Sequence, residues 1–167
     1  MSKPKCLVMD VCSVKVRPIE WMSKVLPKNV EIIGTHPMFG PDSAKYGLKG
    51  LQVIVCPVRS SEQSRKYITA VFKDLELEVI KTTAQKHDRE SARSLALVHF
   101  LGRGLTDINV KKQAISSLGY ERLLTVNETV TNDSWQLFQD MHQYNPYAKK
   151  LRQDYIKALK DLDKDLK

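Results

Sequence analysis

Apolar positions fall into two regimes along this chain. Up to about residue 83 they gather in short runs at 5–11 (KCLVMDV), 30–35 (VEIIGT), 51–58 (LQVIVCPV) and 77–82 (LEVIKT), each bounded by polar or turn residues. Runs of that length, rich in β-branched residues, predict buried strands. Between the first two, Pro18 opens a predicted helix with Ile19, Met22, Val25 and Leu26 on one face. Between the last two, Ser60 and Gln63 read as a capping box, and Tyr67, Ile68, Val71, Phe72 and Leu75 form an apolar stripe. Strands alternating with crossover helices predict an α/β unit with parallel pairing.

Beyond residue 83 the period becomes helical. One helix is predicted over 85–105, where Ala92 and Ala96 allow close approach and Leu95, Val98 and Leu101 supply apolar surface. The region 119–143 carries Leu123, Leu124, Trp135, Leu137, Phe138 and Met141. Asn145 and Pro146 read as the cap and first-turn proline of a last helix. Its stripe of Leu151, Tyr155, Leu159, Leu162 and Leu166 is narrow and needs a partner surface. The expected class is α/β followed by all-α, divided at 1–83 and 84–167.

Composition narrows the picture only modestly. With 167 residues, 42% of them hydrophobic, the chain can bury a core. Its 27 basic and 19 acidic residues leave a net charge of +8, which favours anionic partners without choosing among carboxylates, phosphates and nucleic acid. Lys149, Lys150 and Arg152 are followed by Asp154, Asp161, Asp163 and Asp165, a mixed solvated face that gives nucleic-acid binding little support. Cys6, Cys12 and Cys56 are odd in number, lack CxxC spacing and lie in apolar runs, so buried thiols in a reducing compartment are expected. No apolar run approaches the roughly 18 residues of a membrane span, and the N-terminus is unlike a signal peptide, so a soluble cytoplasmic protein is expected.

Two turns carry candidate chemistry. In IGTHPMFGPD, residues 33–42, His36 stands where a strand ends, the end at which sheets of this class place ligands. It can serve as a general base, or be a turn residue held by its neighbours. DVCSVK, residues 10–15, is a similar place, with Ser13 offering a donor and an acceptor and Lys15 a charge, or simply a helix entry. His87 and Asp88 open the long helix, where Asp88 suits the N-terminal dipole. His99 lies deeper in that helix among apolar neighbours and reads as a core histidine or a site residue. No GxGxxG follows a strand, no GxxxxGK[ST] occurs, and GRG at 102–104 is no phosphate loop.

Together these pieces resemble the prephenate and arogenate dehydrogenase family of tyrosine biosynthesis. DVCSVK at 10–15 followed by GTHPMFGP at 34–41 is similar to that family's paired turns. KHDRESARSLALVHFLGR at 86–103 resembles its helix with an inward histidine, and LGYERLLTVNETVTNDSWQLFQDMHQYNPYA at 118–148 resembles the plant arogenate branch. The resemblance implies a partial Rossmann-like sheet of about four strands and a C-terminal helical domain that lines the substrate pocket and dimerises. It implies oxidative decarboxylation of prephenate or arogenate with hydride transfer to NADP or NAD. His36 and Ser13 would be catalytic, and His99, Thr35 and Arg122 would bind substrate. Ser13, Pro37 and Met38 would contact the cofactor. The family's opening strand and GxGxxG turn precede the segment that DVCSVK matches, so the chain is expected to hold the C-terminal half of the nucleotide domain and to bind dinucleotide weakly alone. Bacterial prephenate-specific members place a carboxylate-binding arginine near Thr125 or Val126, for which Arg122 is an approximate substitute. The expected partners are a small-molecule substrate and a second copy of the chain, with neither nucleic acid nor membrane. A non-catalytic oligomerising or ligand-binding remnant of the family is the alternative.

Overall fold

A computed structural model describes residues 6–166 of the chain, so Lys5, at the start of the first predicted strand, lies outside the described residues. Two compact units divide at Asp88 and Arg89. In the first, the four predicted runs form strands β1 (Leu7–Asp10), β2 (Glu31–Pro37), β3 (Gln52–Arg59) and β4 (Glu78–Lys81), hydrogen-bonded in that order. Helix α1 (Val16–Val25) follows β1, the single turn α2 (Pro41–Ala44) follows β2, and α3 (Glu62–Asp74) follows β3. Of the central strands, β2 is buried over most of its length and β3 from Val53 to Cys56, which is why they read as continuous apolar runs. Ile33, Val55 and Ile68 form the core, with Leu7, Phe72 and Val79 packed against it.

The sheet is mixed and not parallel throughout. β1 pairs with β2 and β3 with β4 in parallel, but β2 and β3 are antiparallel, with Thr35 opposite Val55 and His36 opposite Ile54. The connection between β2 and β3 holds no full crossover helix. It turns instead through Gly47 and Gly50, whose φ of 111° and 76° are costly for any residue with a Cβ. Pro57, which has no N–H to give, lies in β3 past the residues paired with β4, beside the register shift at Ile32 and Ile33.

Other expectations are adjusted locally. Ser61, not Ser60, caps α3, its Oγ accepting from the Ser64 amide at 3.2 Å. Tyr67 and Leu75 are exposed and Ile68 is buried, so the apolar face of α3 is narrower than its pattern. Val25 is likewise exposed at the end of α1. Cys56 is buried between the faces of β3, whereas Cys6 and Cys12 flank the short edge strand β1 and are exposed.

The predicted long helix is present as α4 (Ala84–Ser91), a π segment (Ala92–Ala96) and α5 (Leu97–Asp107). The region after it forms two helices, α6 (Leu118–Asn132) and α7 (Trp135–Gln143), because Ser117 and Ser134 each cap a new helix through Oγ. Asn145 Oδ1 accepts from the Tyr147 amide at 2.9 Å, and the last helix, α8 (Ala148–Asp165), begins only after this turn, with Pro146 outside it. In the second unit Ala96, Met141 and Ala148 form a core flanked by Leu95 and Leu137. Gly102 lets α5 approach α6 closely: a Cβ there would stand 2.4 Å from Val130 Cγ2. Among the described residues no helix is long and apolar enough to cross a membrane.

Candidate functional site

β1 and β2 run parallel, so the turn after Asp10 and the last residues of β2, Thr35 to Pro37, lie at the same end of the sheet. Side chains tie the two turns together. Lys15 is fully buried, and its ammonium pairs with the Asp10 carboxylate and donates to the Thr35 carbonyl. The Thr35 hydroxyl donates to the Asp10 carbonyl, and Asp10 Oδ2 accepts from the Cys12 amide at 3.1 Å. The Lys15 charge that looked available for a ligand is therefore consumed inside the fold, where an unpaired ammonium would be costly. The Thr35 hydroxyl is committed in the same way.

Asp88 serves a different helix from the one its position suggested. Its Oδ1 accepts from the Lys15 amide at 2.7 Å and its Oδ2 from the Val16 amide at 2.9 Å, which caps α1 from 73 residues away. α1 has no side-chain cap of its own. Two of the orphan donors at its start are satisfied by this imported carboxylate, and the helix dipole favours the negative charge.

The same residue anchors a histidine pair. His87 Nδ1 lies 2.7 Å from Asp88 Oδ1, and His87 Nε2 lies 2.9 Å from His36 Nδ1. The two rings meet edge to face, with centroids 5.1 Å apart. All three side chains are buried. Burial above all, then the neighbouring His87 and the Lys15 ammonium, lowers the His36 pKa from 6.5 to about 3, so His36 is neutral at neutral pH. Burial also raises the Cys56 thiol to about 11. Ser13, Pro37 and Met38 are half-buried in or beside the two turns, and the Met38 amide donates to the Gln52 carbonyl at 2.9 Å.

The second unit holds its own polar cluster. His99 is buried on α5, with Nε2 3.5 Å from Asp133 Oδ2 and Nδ1 without a hydrogen-bond partner among the described residues. Burial lowers its pKa, Asp133 opposes that, and Arg103 adds to it. Arg103 donates to the Asp133 carbonyl at 2.6 Å and lies over the Trp135 and Phe138 rings. His142, lowered to about 4 by burial, Arg152 and His99, accepts at Nδ1 from Arg152 at 2.9 Å. Arg122 is exposed on α6 and joins none of these bonds.

The structure thus gathers His36 with two residues read from sequence only as a helix opening. The one available signal was a His-Asp pair beside a predicted helix start. Spacing of 51 residues between His36 and His87 carries no such information. Asp133 and Arg103 around His99 were not anticipated either.

Residues 1–81 match the family model "Prephenate dehydrogenase, nucleotide-binding domain", and residues 104–167 match "TYRAAT1-like, C-terminal domain". The chain is 34% identical over 165 residues to arogenate dehydrogenase 2, chloroplastic, of Arabidopsis thaliana, covering 96% of this chain and 46% of that protein. It is 28% identical to a probable arogenate/prephenate dehydrogenase of Methanocaldococcus jannaschii, over 97% of this chain and 38% of that protein. The chain thus spans less than half the length of these curated relatives. Its fold is similar to Synechocystis arogenate dehydrogenase (TM-score 0.68, 21% identity, 95% of this chain and 60% of that chain). It is also similar to prephenate dehydrogenase from A. aeolicus in complex with hydroxyphenyl propionate and NAD+ (TM-score 0.71, 20% identity, 95% and 58%). With a nucleotide-binding match over the sheet, relatives of one kind along nearly the whole length and the same fold in both solved structures, the chain belongs to the prephenate and arogenate dehydrogenase family.

Proposed function

We propose that this chain takes part in the oxidative decarboxylation of prephenate or arogenate in tyrosine biosynthesis, with His36 as the general base. The observation that carries this reading is a buried, neutral imidazole at the carboxyl end of β2, held through one ring nitrogen by His87. A neutral imidazole can accept the proton of the substrate's ring hydroxyl at its other nitrogen. As the O–H bond breaks, the C–H electron pair of the same carbon leaves as hydride. The bond to the ring carboxylate then breaks, CO2 departs and its electron pair completes the aromatic ring, whose oxygen takes back a proton.

NADP or NAD supplies the hydride acceptor when bound. Its nicotinamide end suits the parallel turns after β1 and β2, where a half-buried Ser13 supplies a hydroxyl and Pro37 and Met38 supply apolar surface. Ser13 is assigned to the substrate hydroxyl as well. Thr35 holds this end of the site together through the Asp10 carbonyl. His99, buried with an Nδ1 that has no hydrogen-bond partner among the described residues, is assigned to substrate binding, and Arg122, exposed on α6, is the weaker assignment of the set. A homodimer fits the exposed Ile156, Leu159 and Leu162 of α8.

The test is NAD(P)H formation with prephenate and with arogenate, using NAD+ and NADP+ in turn, on the chain and on His36→Ala. Turnover lost in the variant supports the assignment, and turnover unchanged refutes it. Where the chain alone is too slow to assay, the same substrates should raise its Tm, because a ligand that binds only the folded state stabilises it.

A further inference from the structure

We infer that His87 and Asp88 set the tautomer of His36, leaving its Nε2 as the unprotonated nitrogen. Backbone amides can only donate, so Asp88 Oδ1 and Oδ2 act as acceptors toward Lys15 and Val16. Oδ1 also faces His87 Nδ1 at 2.7 Å, which makes that nitrogen the N–H of His87. With His87 neutral, its single ring proton is used at Nδ1 and its Nε2 is a lone pair. It faces His36 Nδ1 at 2.9 Å, which makes that nitrogen the N–H of His36. The proton of a neutral His36 is then used, and Nε2, which makes no hydrogen bond among the described residues, is the site left to take another. With His87 neutral each assignment follows from the one before it, whereas an imidazolium at His87 would donate from Nε2 and leave the His36 proton on Nε2. The origin is a carboxylate fixed by the start of α1.

The result is the Nδ1–H form, opposite to the tautomer a solvated histidine side chain favours. A proton arriving at Nε2 leaves an imidazolium whose Nδ1–H points, through His87, at the Asp88 charge. The other ionisable groups of this neighbourhood are the Asp10 and Lys15 pair and the Cys56 thiol. The Lys15 ammonium is paired with Asp10, so Asp88 is the carboxylate that orients the histidines. His87 and Asp88 are positioning residues: they act on the reaction through His36. Their use in catalysis rests on the oxidoreductase reading above, but the tautomer does not.

The experiment is a long-range 1H–15N correlation spectrum of the full chain labelled with 15N-histidine at neutral pH. The four histidines are assigned by single substitutions. His36 and His87 should both appear as Nδ1–H with an unprotonated Nε2. In His87→Phe, which offers no acceptor, His36 should shift to Nε2–H, and His87→Gln, whose amide oxygen can stand in for the lone pair, should restore Nδ1–H. A parent spectrum with His36 as Nε2–H overturns the inference even if every variant fails to fold. So does an unchanged Nδ1–H in a folded His87→Phe. With turnover in hand, His87→Phe should lower kcat at least about tenfold and move KM by less than about twofold, with recovery in His87→Gln. Loss of KM alone would contradict it. Turnover that survives His36→Ala removes the general-base role and leaves the spectrum standing.

Discussion

Acidification should unfold the first unit through His36, by an amount that can be worked out. The residue is buried, and its pKa falls from 6.5 in an exposed chain to about 3 in the fold. Between those limits the unfolded chain binds a proton that the folded chain refuses, so stability declines as pH falls. From pH 7.5, where almost no proton is bound in either state, to pH 5, the loss attributable to His36 is about 2 kcal/mol. His99 and His142 are lowered as well and contribute loss of the same sign, so total pH dependence does not isolate His36. The comparison with His36→Gln does, because the amide does not titrate. Urea unfolding of both proteins at pH 7.5 and pH 5, followed through Trp21 fluorescence in a Trp135→Phe background, reports the first unit. The parent should lose about 2 kcal/mol more than the variant on going to pH 5. Equal losses would mean that His36 takes up its proton in the fold as readily as in the unfolded chain, and the burial-lowered pKa would fall.

Two further outcomes follow from the packing. Gly102→Ala places a Cβ 2.4 Å from Val130 Cγ2 and 3.3 Å from the Val126 carbonyl, and should destabilise the second unit by about 1–3 kcal/mol despite alanine's better helix propensity. Adding Val130→Ala should recover part of that loss in a double-mutant cycle, and strict additivity would show that the contact is not the cause. Thiol titration of the folded protein with a disulfide reagent should show Cys6 and Cys12 reacting promptly and Cys56 only on unfolding, since Cys56 is buried and its thiol is raised to about 11. Three prompt thiols would contradict the burial of β3.

Local order was readable wherever a residue's neighbours in sequence were also its neighbours in space. The four strand runs, the helix after residue 83 and the serine-started helix α3 obey that rule, because period, propensity and capping act within a few residues. The error of one residue in the α3 cap came from two adjacent serines offering the same chemistry. The paired turns DVCSVK and GTHPMFGP were legible as a resemblance because the identities are local, and the family match over residues 1–81 agrees with it.

What amphipathic pattern and turn chemistry determined, then, was the kind and order of elements: short strands with helices between them, then helices alone. Strand direction in the middle of the sheet was beyond them, since β2 and β3 are joined by a turn-rich segment whose reversal depends on how it folds back. The site shows the same limit. His36 was visible by its place at a strand end, but its partner His87 is 51 residues away, and the carboxylate that orients both is held by the amides of a third element. A hydrogen bond depends on distance and angle between two groups in space, so the charge on Lys15, the cap on α1 and the proton on His36 were decided only when the chain brought Asp10, Asp88 and His87 together.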